Sequence, residues 1–160
     1  MNIDKNSTAA FTGHRTYDGR CDEALRSAVR SLYESGYRTF LTGMAIGFDI
    51  AAGECVADMR CELSELRLRC VVPFEGQQRS FGSGWRERFE RLLRAADDVT
   101  VLAPNYTPYA YHIRNDFLVD NSSALIAYYD GTAGGTEYTL RRAVRAGSRI
   151  ENLWNGLFDV

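Results

Sequence analysis

At 160 residues, 45% hydrophobic and 25% charged, the chain is long enough to bury one substantial core and too apolar to be disordered. Its formal charge of -2 and pI near 5.7 lack the basic excess with which proteins track a phosphate backbone, so nucleic acid is not an expected partner. Cys21, Cys55, Cys61 and Cys70 match neither a zinc ribbon nor a Cys-x-x-Cys pair; they read as reduced packing residues, with no metal and no cofactor expected.

The chain starts polar, from Met1 to Thr8, without an apolar signal core. No run approaches the roughly 20 apolar residues that cross a bilayer, which predicts a cytoplasmic protein with no membrane partner. Thr8 to Thr12 reads as a first strand ending in Gly13-His14-Arg15. Asp22 to Ser35 spaces Ala24, Leu25, Ala28, Val29 and Leu32 as a helix, stopped by Gly36. Arg38 to Leu41 is a second strand, Thr42 to Gly47 a glycine-bearing turn, and Phe48 to Arg60 a helix. Arg67 to Pro73 is a third strand, and Phe74 to Gly84, polar and glycine-bearing, a loop.

Trp85 to Ala96 is helical, Val99 to Leu102 a fourth strand, and Tyr106 to Tyr111 a loop broken by proline. Ile113 to Ser122 is a helix that carries Arg114, Asn115 and Asp116 near its start. Ala124 to Tyr129 is a continuous apolar strand of the kind covered on both faces. Thr136 to Ala146 is a helix and Ile150 to Trp154 a last edge strand, less apolar than a buried one. Alternating strands and helices predict a single α/β domain over 1–160, Rossmann-like and three-layered, with a mainly parallel sheet and flexible ends at 1–7 and 155–160.

In such sheets ligands bind beyond the carboxyl ends of the strands, where the glycine turns fall. Glycine allows positive φ and close backbone approach, and the free amides of a helix start attract anions. Two junctions of this type stand out: Gly43-Met44-Ala45-Ile46-Gly47 leading to Asp49, and Asp130-Gly131-Thr132-Ala133-Gly134-Gly135-Thr136-Glu137. The first is neither a Gly-x-Gly-x-x-Gly fingerprint nor an ATPase P-loop. The candidate ligand-binding residues are Gly13, His14, Arg15, Gly43, Met44, Gly47, Asp49, Arg114, Asp130, Gly134, Gly135 and Thr136.

Several of these have bland readings too. Asp49 reads either as a helix cap or as an acceptor for a ribose hydroxyl; Thr136 reads as a cap of its helix. Arg114 at a helix start opposes the macrodipole, which suggests phosphate binding or an inter-subunit ion pair. Tyr106, Tyr109 and Tyr111 could stack on a base or cover a seam, and with Tyr33, Tyr37 and Trp85 they leave homo-oligomer formation open.

Thr12-Gly13-His14-Arg15, Thr42-Gly43-Met44-Ala45-Ile46-Gly47-Phe48-Asp49-Ile50-Ala51-Ala52, Arg114-Asn115-Asp116 with Val119-Asp120, and Tyr129-Asp130-Gly131 followed by Gly134-Gly135-Thr136 together resemble the YpsA-like family of the SLOG superfamily. The resemblance runs from about Thr8 to Gly147. It implies a Rossmann-like fold and a nucleotide-related ligand, with relatives that include Lonely Guy phosphoribohydrolases and DNA-processing protein A. Lonely Guy enzymes carry Pro-Gly-Gly-x-Gly-Thr-x-x-Glu, whereas here the acid, Glu137, directly follows Thr136. Three readings follow: a nucleotide-binding sensor or regulator, a nucleoside monophosphate phosphoribohydrolase using Glu137 or Glu54, and a single-stranded DNA binder, the last opposed by the acidic pI.

Overall fold

A computed structural model of the protein describes residues 2–154. Six strands alternate with five α-helices: β1 (Thr8–Gly13), α1 (Asp22–Glu34), β2 (Thr39–Thr42), α2 (Phe48–Met59), β3 (Arg67–Val72), α3 (Ser83–Ala95), β4 (Asp98–Val101), α4 (Ala110–Asp120), β5 (Ala124–Tyr128), α5 (Gly135–Arg145) and β6 (Arg149–Asn152). All pairings are parallel, in the order β4-β3-β2-β1-β5-β6. This is the expected Rossmann-like three-layer α/β domain.

The chain walks outward from β1 to β4 and then returns to the other side of β1. Right-handed crossovers force the helices onto opposite faces when the direction of travel reverses. Accordingly α1, α2 and α3 bury Leu25, Val29, Ile50, Val56, Phe89 and Leu92 in one core with Phe11, Phe40 and Leu68. The other face packs Leu118 and Val119 of α4 and Ala143 of α5 on Ala10, Leu41, Val71 and Leu125. β5 is buried at every position, so its unalternating apolar run has the cause expected of a doubly covered strand.

The departures are local. The expected loop at 74–84 contains a 3-10 turn, Gln77–Ser80, that buries Gln77. α4 starts at Ala110, one turn earlier than the aromatic sequence suggests, because Pro108 leads into the helix instead of breaking it. β6 does pair, Ala124 to Arg149 through Ala127 to Asn152, despite its polarity; as the edge strand only half of it is covered. Near the start, Lys5–Ser7 form a 3-10 turn capped by the Asp4 side chain. The expected flexible end at 155–160 lies outside the described residues.

Candidate functional site

Three strand ends and two helix starts meet around a cavity of about 410 Å³ at the carboxyl edge of the sheet. It is lined by Thr12, Gly13, His14 and Arg15 after β1, Ala45, Ile46 and Asp49 around the start of α2, and Gln77 and Phe81 after β3. Tyr111, Arg114 and Asn115 of α4 and Gly135 and Thr136 of α5 complete the wall. The two glycine junctions therefore converge on one space. Neither helix start has a side-chain cap: α2 begins from Gly47 and α5 from Gly134, which corrects the reading of Thr136 as the cap. In α5 the first amide to donate into the helix is that of Tyr138, to Gly134 O, so the amides of Gly135, Thr136 and Glu137 precede the ladder.

Charge is placed unevenly. Arg15 is exposed and, among the described residues, has no ion-pair partner. Arg114 is 7% exposed and sits one turn inside α4 rather than at its start; it therefore meets no exposed macrodipole, which corrects that argument for its role. Its Nε donates to Asn115 Oδ1 and its Nη1 to Gly43 O, both at 2.8 Å, which leaves further guanidinium donors.

Asp49 lies in the first turn of α2, 4% exposed. Its Oδ2 accepts from Ala45 N at 3.4 Å, and Oδ1 is buried without a partner. Burial pushes its carboxyl from 3.8 up to about 6, against the opposing pull of the Arg114 guanidinium; burial likewise lowers the Arg114 pKa. Because the folded value is the higher one, this group favours the fold below pH 3.8 and that contribution fades as pH rises through about 6. The contribution is about 3 kcal/mol. Urea unfolding of wild type and Asp49→Asn from pH 4 to 7.5 should show the difference: the variant lacks this declining component, and parallel curves would refute the assignment.

The remaining sequence candidates hold the cavity's shape. Gly43 lets Arg114 and Asp49 approach from two sides; a Cβ there would lie 2.7 Å from Arg114 Cδ and 2.9 Å from Asp49 Oδ2. Gly47, at φ +90°, lies against the Arg15 backbone. Met44 is fully buried at φ 65°, and its carbonyl accepts from Gln77 Nε2. Gly43, Met44, Gly47 and Gly134 thus shape the loops without lining the space.

His14 Nε2 lies 2.9 Å from Asp130 N and 2.8 Å from Asp130 Oδ1, so a neutral ring accepts from the amide and a protonated ring donates to the carboxylate. Asp130 is held below the usual carboxylate range by bonds from Thr132, with His14 adding to the effect. This pairing ties the second glycine loop to the end of β1, with Asp130 behind His14 and off the cavity wall.

The two proposed catalytic acids are not brought to the cavity. Glu54 makes a bidentate pair with Arg88. It faces a separate hollow of about 550 Å³ with Trp85, Arg26 and Asp58, where Arg26 and Asp58 are themselves paired. Glu137 accepts from Tyr129 Oη at 2.8 Å and forms an ion pair with Arg141 at 3.4 Å, and it does not line the cavity. Asp49 is the only carboxylate lining the cavity among the described residues. Sequence reasoning missed Gln77 and Phe81, since a polar stretch without periodicity carries no signal of burial.

All four cysteines are free, and burial pushes the Cys55 and Cys70 thiols up to about 12, as suits packing residues. No helix among the described residues is long and apolar enough to cross a membrane.

The same fold occurs in known proteins. A family model described as the YspA SLOG family matches residues 11–153. A UPF0398 protein of Bacillus thuringiensis is 28% identical over 132 residues, covering 81% of this chain and 72% of that protein. Another from Bacillus velezensis is 29% identical over 124 residues, covering 76% and 68%. Among solved structures, DNA processing protein A from Helicobacter pylori, described in a single-stranded DNA binding mode, superposes with TM-score 0.64 at 16% identity, covering 95% of this chain and 71% of that one. The Streptococcus pneumoniae counterpart gives 0.66 at 17%, covering 97% and 54%. TM1055, a structural-genomics target, gives 0.57 at 13%, covering 96% and 81%. At these identities the structural likeness speaks to the fold alone.

Proposed function

Since the chain belongs to the YspA SLOG family, we propose that its cavity binds a nucleotide or nucleotide-derived phosphorylated small molecule, and that the protein acts as a sensor or regulator. The observation that carries this reading is the convergence, on one cavity, of the uncapped α5 start with Arg15, which has no ion-pair partner among the described residues. Free amides and a guanidinium with no carboxylate of its own are the two donor types that bind phosphate. Phe81 and Tyr111 add aromatic walls against which a base can lie. A volume of about 410 Å³ falls in the range of small-molecule sites and suits a guest the size of a mononucleotide.

The test is calorimetric titration with the nucleoside 5'-monophosphates and with inorganic phosphate. Arg15→Gln is expected to weaken binding tenfold or more, as loss of a charge-assisted bond does, while leaving the melting temperature of the free protein unchanged because the side chain is exposed. Unaltered affinity would remove Arg15 from the site.

The phosphoribohydrolase reading loses its two acids to Arg88, Tyr129 and Arg141, and Asp49 alone does not supply the pair that glycosidic cleavage ordinarily uses. Incubation with AMP should release no free adenine. DNA binding, the property described for the Helicobacter pylori structural neighbour, is set against the net charge of -2; a gel shift with single-stranded DNA at low salt should stay blank.

A further inference from the structure

Two donors on the cavity wall have no acceptor. Arg114 and Asn115, consecutive on α4, are 7% and 5% exposed, and both line the cavity. Arg114 Nε donates to Asn115 Oδ1 at 2.8 Å; a donor needs an acceptor opposite it, so this end of the Asn115 amide is the oxygen and the other end is the NH₂. Among the described residues that NH₂ has no partner, and neither has Arg114 Nη2, since it is Nη1 that reaches Gly43 O. The unpaired side-chain atoms sealed inside the described residues are Asp49 Oδ1, Arg69 Nε and Gln77 Oε1. Asn115 Nδ2 and Arg114 Nη2 are not sealed, so the little surface these two side chains keep lies on the cavity they line.

The free amide stands beside the start of α5. A Cβ built on Gly135 would have one neighbour within 4 Å, Asn115 Nδ2 at 3.6 Å, which is ordinary contact. Gly135 is the first residue of α5 and lies outside the positive-φ backbone that Gly134 adopts at +148°. Neither strain nor crowding therefore calls for glycine at this position, where alanine would make the better helix. What a side chain there would fill is the gap beside the Asn115 NH₂.

That gap is walled by donors. The amides of Gly135 and Thr136 precede the helix ladder on one side, and the Asn115 NH₂ stands on the other, tied through its oxygen to a guanidinium with Nη2 to spare. No carboxylate forms an ion pair with Arg114 among the described residues. A guest that answers all of these must be negative and must offer several acceptor oxygens from one centre. A phosphate group does so, whereas a sugar hydroxyl or a base carbonyl offers one oxygen and no charge.

Resting on the nucleotide reading above, we infer that Asn115 is an anion-binding residue which, oriented by Arg114 and facing the first amides of α5, forms the subsite for the guest's phosphate. Arg114 acts there in two ways. Its Nε fixes the amide so that the NH₂ is the end presented, and its charge favours an anion where few waters can. The subsite joins α4 to α5 and makes the cavity selective for phosphate-bearing guests over free nucleosides.

The experiment titrates the four ribonucleoside 5'-monophosphates, adenosine and inorganic phosphate at pH 7.5 into wild type, Asn115→Asp and Gly135→Ala. The aspartate keeps an oxygen for Arg114 Nε and adds charge to that bond, so the free variant should melt no lower than wild type, while the NH₂ is replaced by an oxygen that repels the anion. Affinity for the tightest-binding monophosphate should fall about a hundredfold or more in Asn115→Asp. Gly135→Ala should likewise melt no lower, and should bind about tenfold more weakly. In isotope-labelled wild type, the Asn115 side-chain NH₂ resonances should shift together with the Gly135 amide when the same monophosphate is added; this measurement needs no variant and decides the matter should Asn115→Asp not fold. Unchanged affinity in Asn115→Asp, or an Asn115 NH₂ that stays still while the monophosphate binds, overturns the subsite and leaves the nucleotide reading intact. If no monophosphate binds the wild type, the nucleotide reading itself fails and the subsite with it.

Discussion

Gly47→Ala is expected to destabilise the protein by at least about 3 kcal/mol, a large share of the stability of an ordinary domain. Two costs coincide there. The backbone sits at φ +90° and ψ -121°, a conformation that L side chains rarely adopt, and the added carbon would meet the Arg15 carbonyl and Cα at 2.5 Å. Backbone cannot swing aside as a side-chain tip can. Gly131→Ala separates the costs, since Gly131 has φ +95° with nothing within 4 Å of its notional Cβ. That variant should lose only about 1–2 kcal/mol. Urea unfolding of both checks the pair, and equal losses would show that the close approach to Arg15 contributes nothing.

Arg114→Leu should cost about 3–5 kcal/mol at pH 8. It strands three acceptors that the guanidinium now serves by bond or by field: Gly43 O, Asn115 Oδ1 and the Asp49 carboxylate. Its pH dependence distinguishes this account from simple loss of packing. Without Arg114 the Asp49 carboxyl rises above its present value of about 6, so at pH 5 it is neutral and the penalty is smaller. The double variant Arg114→Leu/Asp49→Asn should recover part of the loss at pH 8. A deficit that is the same at pH 5 and pH 8 would mean that the two charges do not act on each other.

The architecture is legible in the sequence because its signals are strong and redundant. β5 reads as an unbroken apolar run since helices cover both its faces, and Gly36 marks the end of α1 at its true place, one residue beyond Ser35. The cavity is legible in outline, because glycine turns after parallel strands have few other uses. What fails are inferences about direction. Glu54 and Glu137 are acids at plausible positions along the chain, yet Glu54 pairs with Arg88 of α3, a pairing across elements that leaves no local trace, while Glu137 is held by Tyr129 outside its helix and by Arg141 one turn on. Pro108 reads as a breaker but precedes a helix start, and this displaces Arg114 by a turn. Gln77 is invisible for a related reason: its burial depends on Met44, 33 residues away, offering a carbonyl.

The seam between β1 and β5 joins positions well over a hundred residues apart, Ala9 to Ala124 through Gly13 to Tyr128. Everything from β1 to β4 can pair progressively as the chain lengthens, whereas β5 must travel back past the whole of it to reach its neighbour. Both sides of the cavity wall, His14 and Arg15 on one and Gly135 and Thr136 on the other, exist together only once that return is made. During synthesis a nascent chain that stops short of α5 would carry five of the six strands and one open side of the cavity, so the wall closes late, with only β6 still to be added.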